Sequence, residues 1–321
     1  MPPRKSRRPS EIGLEDHPRA DGQPHEYRDR QDVEHAGERR HSWLYEPYYP
    51  EVACTAVRIV DLGSGIPVVL VPGIQGRWEW MAPAVDALAR RCRVITFSLA
   101  DEPSAGWPSR GTGFGAYVEQ VAQALDARDL ERAVICGVSY GGLIAAAFAR
   151  HYPQRVAGLA LVSAIPPSWR PDARARFFMR RPRLLLPLFL LGSLRLYPEI
   201  AAAYDGWWGG VWAAIRQGAR SMAHFPAPER MARRAAIAAE AEVDGLASVH
   251  VPVLVVSGQR GLDRVVPTEM TAEYTRIWPH ASAVTLQRTG HLGLVTRPGE
   301  FARVIAGFAE EKAADGVRLR A

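Results

Sequence analysis

The ten residues Val134–Leu143, VICGVSYGGL, constrain this chain more than any other stretch. An apolar run ends in Gly137-Val138-Ser139-Tyr140-Gly141-Gly142 and passes straight into a helix-like pattern. A wholly apolar strand has to be covered on both faces, which is the situation of a parallel sheet between helices. Similar runs recur at Val68–Val71, Val94–Phe97, Val156–Val162, Pro252–Val256 and Ala283–Leu286. Helical spacing separates them at Glu79–Arg90, Gly115–Ala127, Leu143–His151, Glu269–Ile277 and Phe301–Glu310. Ala53–Val60 alternates like a half-exposed strand, and Gly63-Ser64-Gly65 reads as the turn after it. Strand alternating with helix predicts the α/β class, with a mostly parallel central sheet flanked by helices.

Between Val156–Val162 and Pro252–Val256 the alternation stops. Residues 166–246 read as helical and are rich in Arg, Ala, Leu and Trp. Lying between two late strands, they form an insertion, a helical cap. The chain of 321 residues is long for one compact domain and short for two, which suits a core with an insertion. The expected organisation is a tail over 1–45, core over 46–165, cap over 166–246, core again over 247–312 and a C-terminal tail over 313–321. Residues 1–45 hold nine basic and nine acidic side chains and almost no aliphatics. That is too little apolar surface to offset ordering, so this tail is expected to be disordered.

The formal net charge is +6, and residues 165–250 hold twelve arginines against seven acids. No helix-turn-helix, zinc-finger or RNA-binding signature accompanies them, so nucleic acid is not an expected partner and the arginines read as a solvated face. Cys54, Cys92 and Cys136 are odd in number and lie far apart in strand-like runs. They read as buried free thiols of a reducing cytosol, and no pair has metal-ligand spacing. No apolar stretch follows the basic N-terminus, which argues against a secretory signal and for a cytoplasmic location. Leu184–Leu191, LLLPLFLL, is broken by Pro187 and falls short of the roughly 20 residues that cross a bilayer. It is read as a buried cap helix, with membrane-surface contact as the alternative.

In a covered parallel sheet, reactive side chains gather beyond the carboxyl ends of the strands. Ser139 sits there, between a strand and a helix. Gly137 and Gly141 permit the close strand–helix approach of a G-x-S-x-G elbow, which exposes the hydroxyl near a helix N-terminus. A phosphate loop is the other reading of such glycines, but no Lys-Ser or Lys-Thr pair follows them. A serine hydroxyl needs a base. His291 follows Gly290 after the last strand, and Asp263 in GQRGLDRVVP follows the strand before it. A carboxylate there would hold the imidazole tautomer and stabilise its cation. The chain order Ser139, Asp263, His291 is the order that the elbow reading requires.

With these residues the chain resembles the α/β-hydrolase family from roughly Val52 to Phe308. The motifs are the elbow GVSYGG, the acid loop SGQRGLDRVVP and the closing TGHLGLVTRPGEF. The resemblance implies an oxyanion hole built from the backbone N–H groups of Ile74 and Tyr140. Two departures stand out. The loop Pro72-Gly73-Ile74-Gln75-Gly76 lacks the histidine that most relatives carry before the glycine. Trp78 and Trp80 are candidates to brace it, unless they serve core packing. The acid also lies five residues after Gly258 where three is usual, although Val265-Val266-Pro267 anchors Asp263 in the expected place. Asp172, after Val156–Val162, is the fallback acid.

Caps in this family cover the active site and shape the substrate pocket. Gln75, Trp207, Trp208, Trp212 and Leu292 are the substrate-binding candidates, and a lid this aromatic implies an apolar pocket. The leading expectation is a serine hydrolase that cleaves a carboxylic ester or thioester of an apolar small molecule, with no cofactor or metal. Carbon–carbon hydrolysis and cofactor-free peroxidase chemistry use the same triad. Dehalogenase and epoxide-hydrolase relatives use an aspartate nucleophile, which Ser139 argues against. A low-turnover ligand receptor or signalling protein on the same scaffold is the alternative from another class.

Overall fold

The computed structural model describes residues 58–106, 113–204, 207–224 and 227–318. The N-terminal tail expected over 1–45, and Cys54, lie outside the described residues. The first half of the core runs β1 (Ile59–Leu62), β2 (Pro67–Val71), α1 (Ala82–Leu88), β3 (Arg93–Phe97), α2 (Phe114–Asp126), β4 (Ala133–Val138), α3 (Tyr140–His151) and β5 (Val156–Val162). Helices α4 (Ala173–Arg180), α5 (Leu186–Gly192), α6 (Tyr197–Ala203), α7 (Trp207–Ala223) and α8 (Pro228–Glu240) come next. The core resumes with β6 (Val253–Gly258), α9 (Thr268–Thr271), α10 (Glu273–Ile277), β7 (Ser282–Leu286), α11 (Gly293–Thr296) and α12 (Pro298–Arg318).

The seven strands form one sheet in the order β1-β3-β2-β4-β5-β6-β7. Every pairing is parallel except β1 with β3 at the edge. The wholly apolar strands result from this arrangement. Val69 and Val71 of β2 face a layer with Tyr117 and Val121 of α2 and Leu143 and Ile144 of α3. Val68 and Leu70 face the opposite layer, with Leu88 of α1 and Phe301 and Ile305 of α12. Successive strand residues point to opposite faces, and both faces are dry. Each such side chain contributes about 1.5–3 kcal/mol on burial. Cys92 and Cys136 are buried free thiols in this core, and full burial pushes the Cys136 thiol upward.

Several boundaries differ from the sequence reading for local reasons. The helix expected over Glu79–Arg90 begins as a 3-10 turn, Trp78–Met81, before α1 with Pro83 in its first turn. Proline fits there because its missing N–H has no helical acceptor. Glu269–Ile277 divides into α9 and α10. Helix α12 continues to Arg318, past the expected start of a tail at 313. The larger correction concerns Leu184–Leu191. The sequence reading makes it a buried cap helix, yet Leu184 is 68% exposed and Leu191 62%. Helices α5 and α6, with the 3-10 turn Ser193–Leu196 between them, form one helical run. This run, Leu186–Ala203, is long and apolar enough by length and composition to cross a membrane.

Candidate active site

The elbow forms where β4 ends and α3 begins. Ser139 takes φ 53° and ψ −117°, a left-handed conformation that a non-glycine residue holds only at a cost of about 1–3 kcal/mol. Surrounding backbone enforces it. The Ser139 N–H donates to Val162 O at 2.9 Å, and Ser139 O accepts from the Gly142 N–H at 2.9 Å. A Cβ on Gly137 would lie 2.6 Å from Gly142 Cα, so strand and helix meet there as the sequence predicts. Gly141 has a different neighbour. Its Cβ would lie 2.6 Å from Pro72 O and would also strike Val71 O, at the end of β2. That approach sets the Pro72–Gly76 loop beside the serine. A Cβ on Gly73 would lie 3.5 Å from Ser139 Cβ and 3.1 Å from Gln75 Oε1.

The loops after β6 and β7 carry the other two groups. A Cβ on Gly258 would lie 2.8 Å from the Gly290 and Thr289 backbone, so these loops touch main chain to main chain. The residues that lengthen the acid loop are taken up by a turn, with the Leu262 N–H on Gln259 O at 3.0 Å and Gly261 at φ +81°. Asp263 Oδ1 then accepts the N–H groups of Val265 at 3.0 Å and Val266 at 2.8 Å. Its Oδ2 lies 3.1 Å from His291 Nδ1, and both side chains are buried. An ionised carboxylate only accepts, so Nδ1 carries the proton and Nε2 is left to accept. Burial raises the Asp263 pKa, but the His291 bond and the two N–H donors outweigh it and hold the carboxyl below its ordinary range. Asp172, the fallback acid, is exposed and caps α4 by accepting the Ala175 N–H at 2.7 Å.

Two cap residues that the sequence reading missed reach this site. Arg234 of α8 has no exposed surface. It donates from Nη1 to Ile74 O at 2.9 Å, from Nη2 to Asp101 Oδ1 and Glu102 Oε1, both at 2.6 Å, and from Nε to Asp101 Oδ1 at 3.0 Å. Arg230 adds a bond to Glu102 Oε1 at 3.1 Å. Gly76, at φ +74°, lies against the guanidinium with no room for a Cβ. Arg234 therefore braces the loop that lacks a histidine, and it is not part of a solvated face. Of the expected braces, Trp78 packs on the second core layer and Trp80 donates to His224 O at 3.0 Å.

Glu199 of α6 is 1% exposed. Its Oε2 accepts the Leu292 N–H at 3.1 Å and fills the space where Gly290 lacks a side chain. Its Oε1 is buried without a hydrogen-bond partner. Burial pushes this carboxyl up to about 7, moderated by the Leu292 and His291 backbone donors and by the His291 charge, and reinforced by Asp263. The substrate-binding candidates fare unevenly. Gln75 and Leu292 are half-buried beside the serine loop and the histidine loop. Trp208 and Trp212 are 71% and 67% exposed, so the expectation that they roof a pocket gives way to one of solvent-facing rings. The Trp207 side chain lies outside those described.

Residues 66–298 match the sequence profile of the alpha/beta hydrolase fold. The chain belongs to the alpha/beta hydrolase fold family. RutD of Azorhizobium caulinodans, named as a carbamate hydrolase, is 28% identical over 268 residues, which cover 78% of this chain and 93% of that protein. A pimeloyl-(acyl-carrier protein) methyl ester esterase of Yersinia enterocolitica is 27% identical over 236 residues, covering 66% of this chain and 82% of that protein. A solved thermophilic esterase from Thermogutta terrifontis has the same fold, with a TM-score of 0.62 at 24% identity, covering 80% of this chain and 93% of that one.

Both buried cap residues can be tested in this hydrolase. Removing the Arg234 guanidinium leaves Asp101 and buried Glu102 without their main cation. Arg234→Met is expected to lower unfolding free energy by about 3–5 kcal/mol in urea titrations. A loss under about 1 kcal/mol would contradict a brace of this kind. For Glu199, the carboxyl ionises near 4.5 in the unfolded chain and near 7 in the fold. Its folded state is therefore favoured below pH 4.5, and that advantage is lost as pH rises through 7. Glu199→Gln removes the penalty. Between pH 4 and 8 the variant should gain about 3 kcal/mol relative to wild type in urea unfolding, and a pH-independent difference would refute the shift.

Proposed function

We propose that this chain hydrolyses a carboxylic ester of an apolar small molecule through Ser139, His291 and Asp263 and an acyl-enzyme intermediate. The observation that supports this reading is the buried His291–Asp263 pair, 3.1 Å apart, on the loops after β6 and β7 of the same sheet whose strand β4 ends at a serine held at positive φ. His291 Nε2 takes the Ser139 proton as the hydroxyl oxygen attacks the acyl carbon. The carbonyl oxygen becomes an oxyanion, held by the N–H groups of Ile74 and Tyr140. The carbon–oxygen bond to the leaving group breaks as His291 returns the proton to the departing alcohol. Water, deprotonated by His291, then attacks the acyl carbon and releases the acid and the serine hydroxyl. Asp263 stays ionised throughout, which fits a carboxyl held below its usual range.

Two relatives support acyl-carbon chemistry. One is named for a carbamate and the other for a methyl ester, and both bonds join a carbonyl to a heteroatom leaving group. A thioester has the same electrophile and a better leaving group, so it stays within the proposed range. Arg234 acts on this mechanism through the backbone. By holding Ile74 O it fixes the peptide that follows the proposed oxyanion donor, and misplacement by about 1 Å is enough to cost about 100-fold in rate.

The test is labelling by a fluorophosphonate together with turnover of p-nitrophenyl esters from acetate to octanoate. Wild type should label at one serine and turn over, and Ser139→Ala should do neither. Asp263→Asn should lower kcat by about 10³–10⁴-fold, while Asp172→Asn should leave it within about twofold. An unlabelled wild type without turnover on any chain length would favour the low-turnover receptor reading. Loss of activity in the Asp172 variant alone would reassign the acid.

A further inference from the structure

Among the described residues, ten of the twelve exposed large apolar side chains belong to the cap. In α7, Trp208, Trp212 and Ile215 are four and three residues apart and so share one face. Leu188, Leu191 and Leu194 repeat every third residue through α5 and the 3-10 turn behind it. Stable soluble surfaces carry such residues singly and seldom gather them in one region. Between Ala173 and Pro198 there are also six arginines and no acid, and all six are exposed. Among the described residues, only Arg183 of the six forms an ion pair, with Glu229. A Cβ on Gly192, at the end of α5, would lie 2.8 Å from Arg174 Nη2, which puts cation and apolar face side by side. Arg174 and Arg264 in turn add like charge around Arg195, against the single acid Asp172.

We propose that the cap docks on an anionic lipid surface through the leucine face of α5 and the 3-10 turn behind it. Exposed leucines enter the headgroup boundary, and the arginines of residues 174–195 meet lipid phosphates. Arginine side chains can lie along apolar surface while their heads stay with the phosphates. A second copy of the chain fits this face poorly, because a two-fold contact would set the same arginines against themselves. The apolar run Leu186–Ala203 lies on the lipid and does not cross it. Glu199 within the run is buried on the Leu292 N–H, which ties one side of the run to the core. Only the outer side is left for the bilayer.

The test is co-sedimentation of the full chain with vesicles. One set is phosphatidylcholine with phosphatidylglycerol at about 3:1, and the other is phosphatidylcholine alone. Wild type should partition about tenfold more strongly to the anionic vesicles, and about 1 M NaCl should release it. The variant Leu188→Ser/Leu191→Ser/Leu194→Ser and the variant Arg180→Glu/Arg181→Glu should each partition about tenfold less. These variants separate the cap face from the basic N-terminal residues Arg4, Lys5, Arg7 and Arg8. Thermal melting of each variant checks that it is folded, and single substitutions replace any variant that is not. Wild type left in the supernatant with anionic vesicles would overturn the proposal. So would equal partitioning by wild type and folded variants. Sedimentation velocity showing a dimer that the leucine variant dissolves would assign the face to a second copy instead.

Discussion

At Gly141 the first turn of α3 runs so close to the carbonyls of Val71 and Pro72 that no side chain fits between them. The rest of the site depends on this contact. It locks the end of β2 to the beginning of α3, with Ser139 caught in the turn just before. The serine keeps its left-handed backbone because strand β5 holds its N–H and the helix holds its carbonyl. The Pro72–Gly76 loop comes to lie beside Ser139 because β2 and β4 are neighbours in the sheet. Further along the sheet, β6 and β7 bring Asp263 and His291 together, with Gly258 and Gly290 in contact. Backbone packing therefore sets the geometry of the candidate site, and side chains complete it.

The cap contributes charge to both sides of that geometry. Arg234 enters the loop of Ile74 from α8, and Glu199 enters the loop of His291 from α6. Buried ions are poor sources of net stability, since desolvation consumes most of the attraction. Their value is positional. Arg234 has one arrangement in which all three of its nitrogens donate, with carboxylates on one side and a loop carbonyl on the other. Glu199 is the opposite case, with one oxygen occupied and one without a partner. Burial therefore raises its pKa to about 7, with a single hydrogen bond, from the Leu292 N–H, to offset the loss of water.

The sheet, the elbow and the two loops were legible because each is written in glycines and apolar runs at short range. GVSYGG, SGQRGLD and TGH each place a glycine where backbone meets backbone. Arg234 and Glu199 left no such mark. Helix α8 carries Arg230, Arg233 and Arg234 together, and nothing in that spacing tells which one is buried. The hint lay elsewhere, in Asp101-Glu102 shortly after the apolar run of β3, where two adjacent acids, one of them buried, call for a cation. A lone glutamate in LYPEIAAAY gives a similar hint for Glu199. The leucines of LLLPLFLL misled for the converse reason. Apolar composition fixes which residues avoid water in a finished core, but it does not say whether the surrounding elements cover them.

The bond from Arg234 to Ile74 spans 160 residues of sequence and crosses from cap to core. It makes the two parts interdependent in a way that an inserted cap would not suggest. A chimera that exchanged this cap for another of similar length would keep every residue of the sheet, the elbow and the acid and histidine loops. It would nevertheless strip the Ile74 carbonyl of its donor and strand two carboxylates beside it. The inserted helices and the core are therefore one unit at this contact, and any exchange that keeps the Ile74 loop in place has to leave α8 seated.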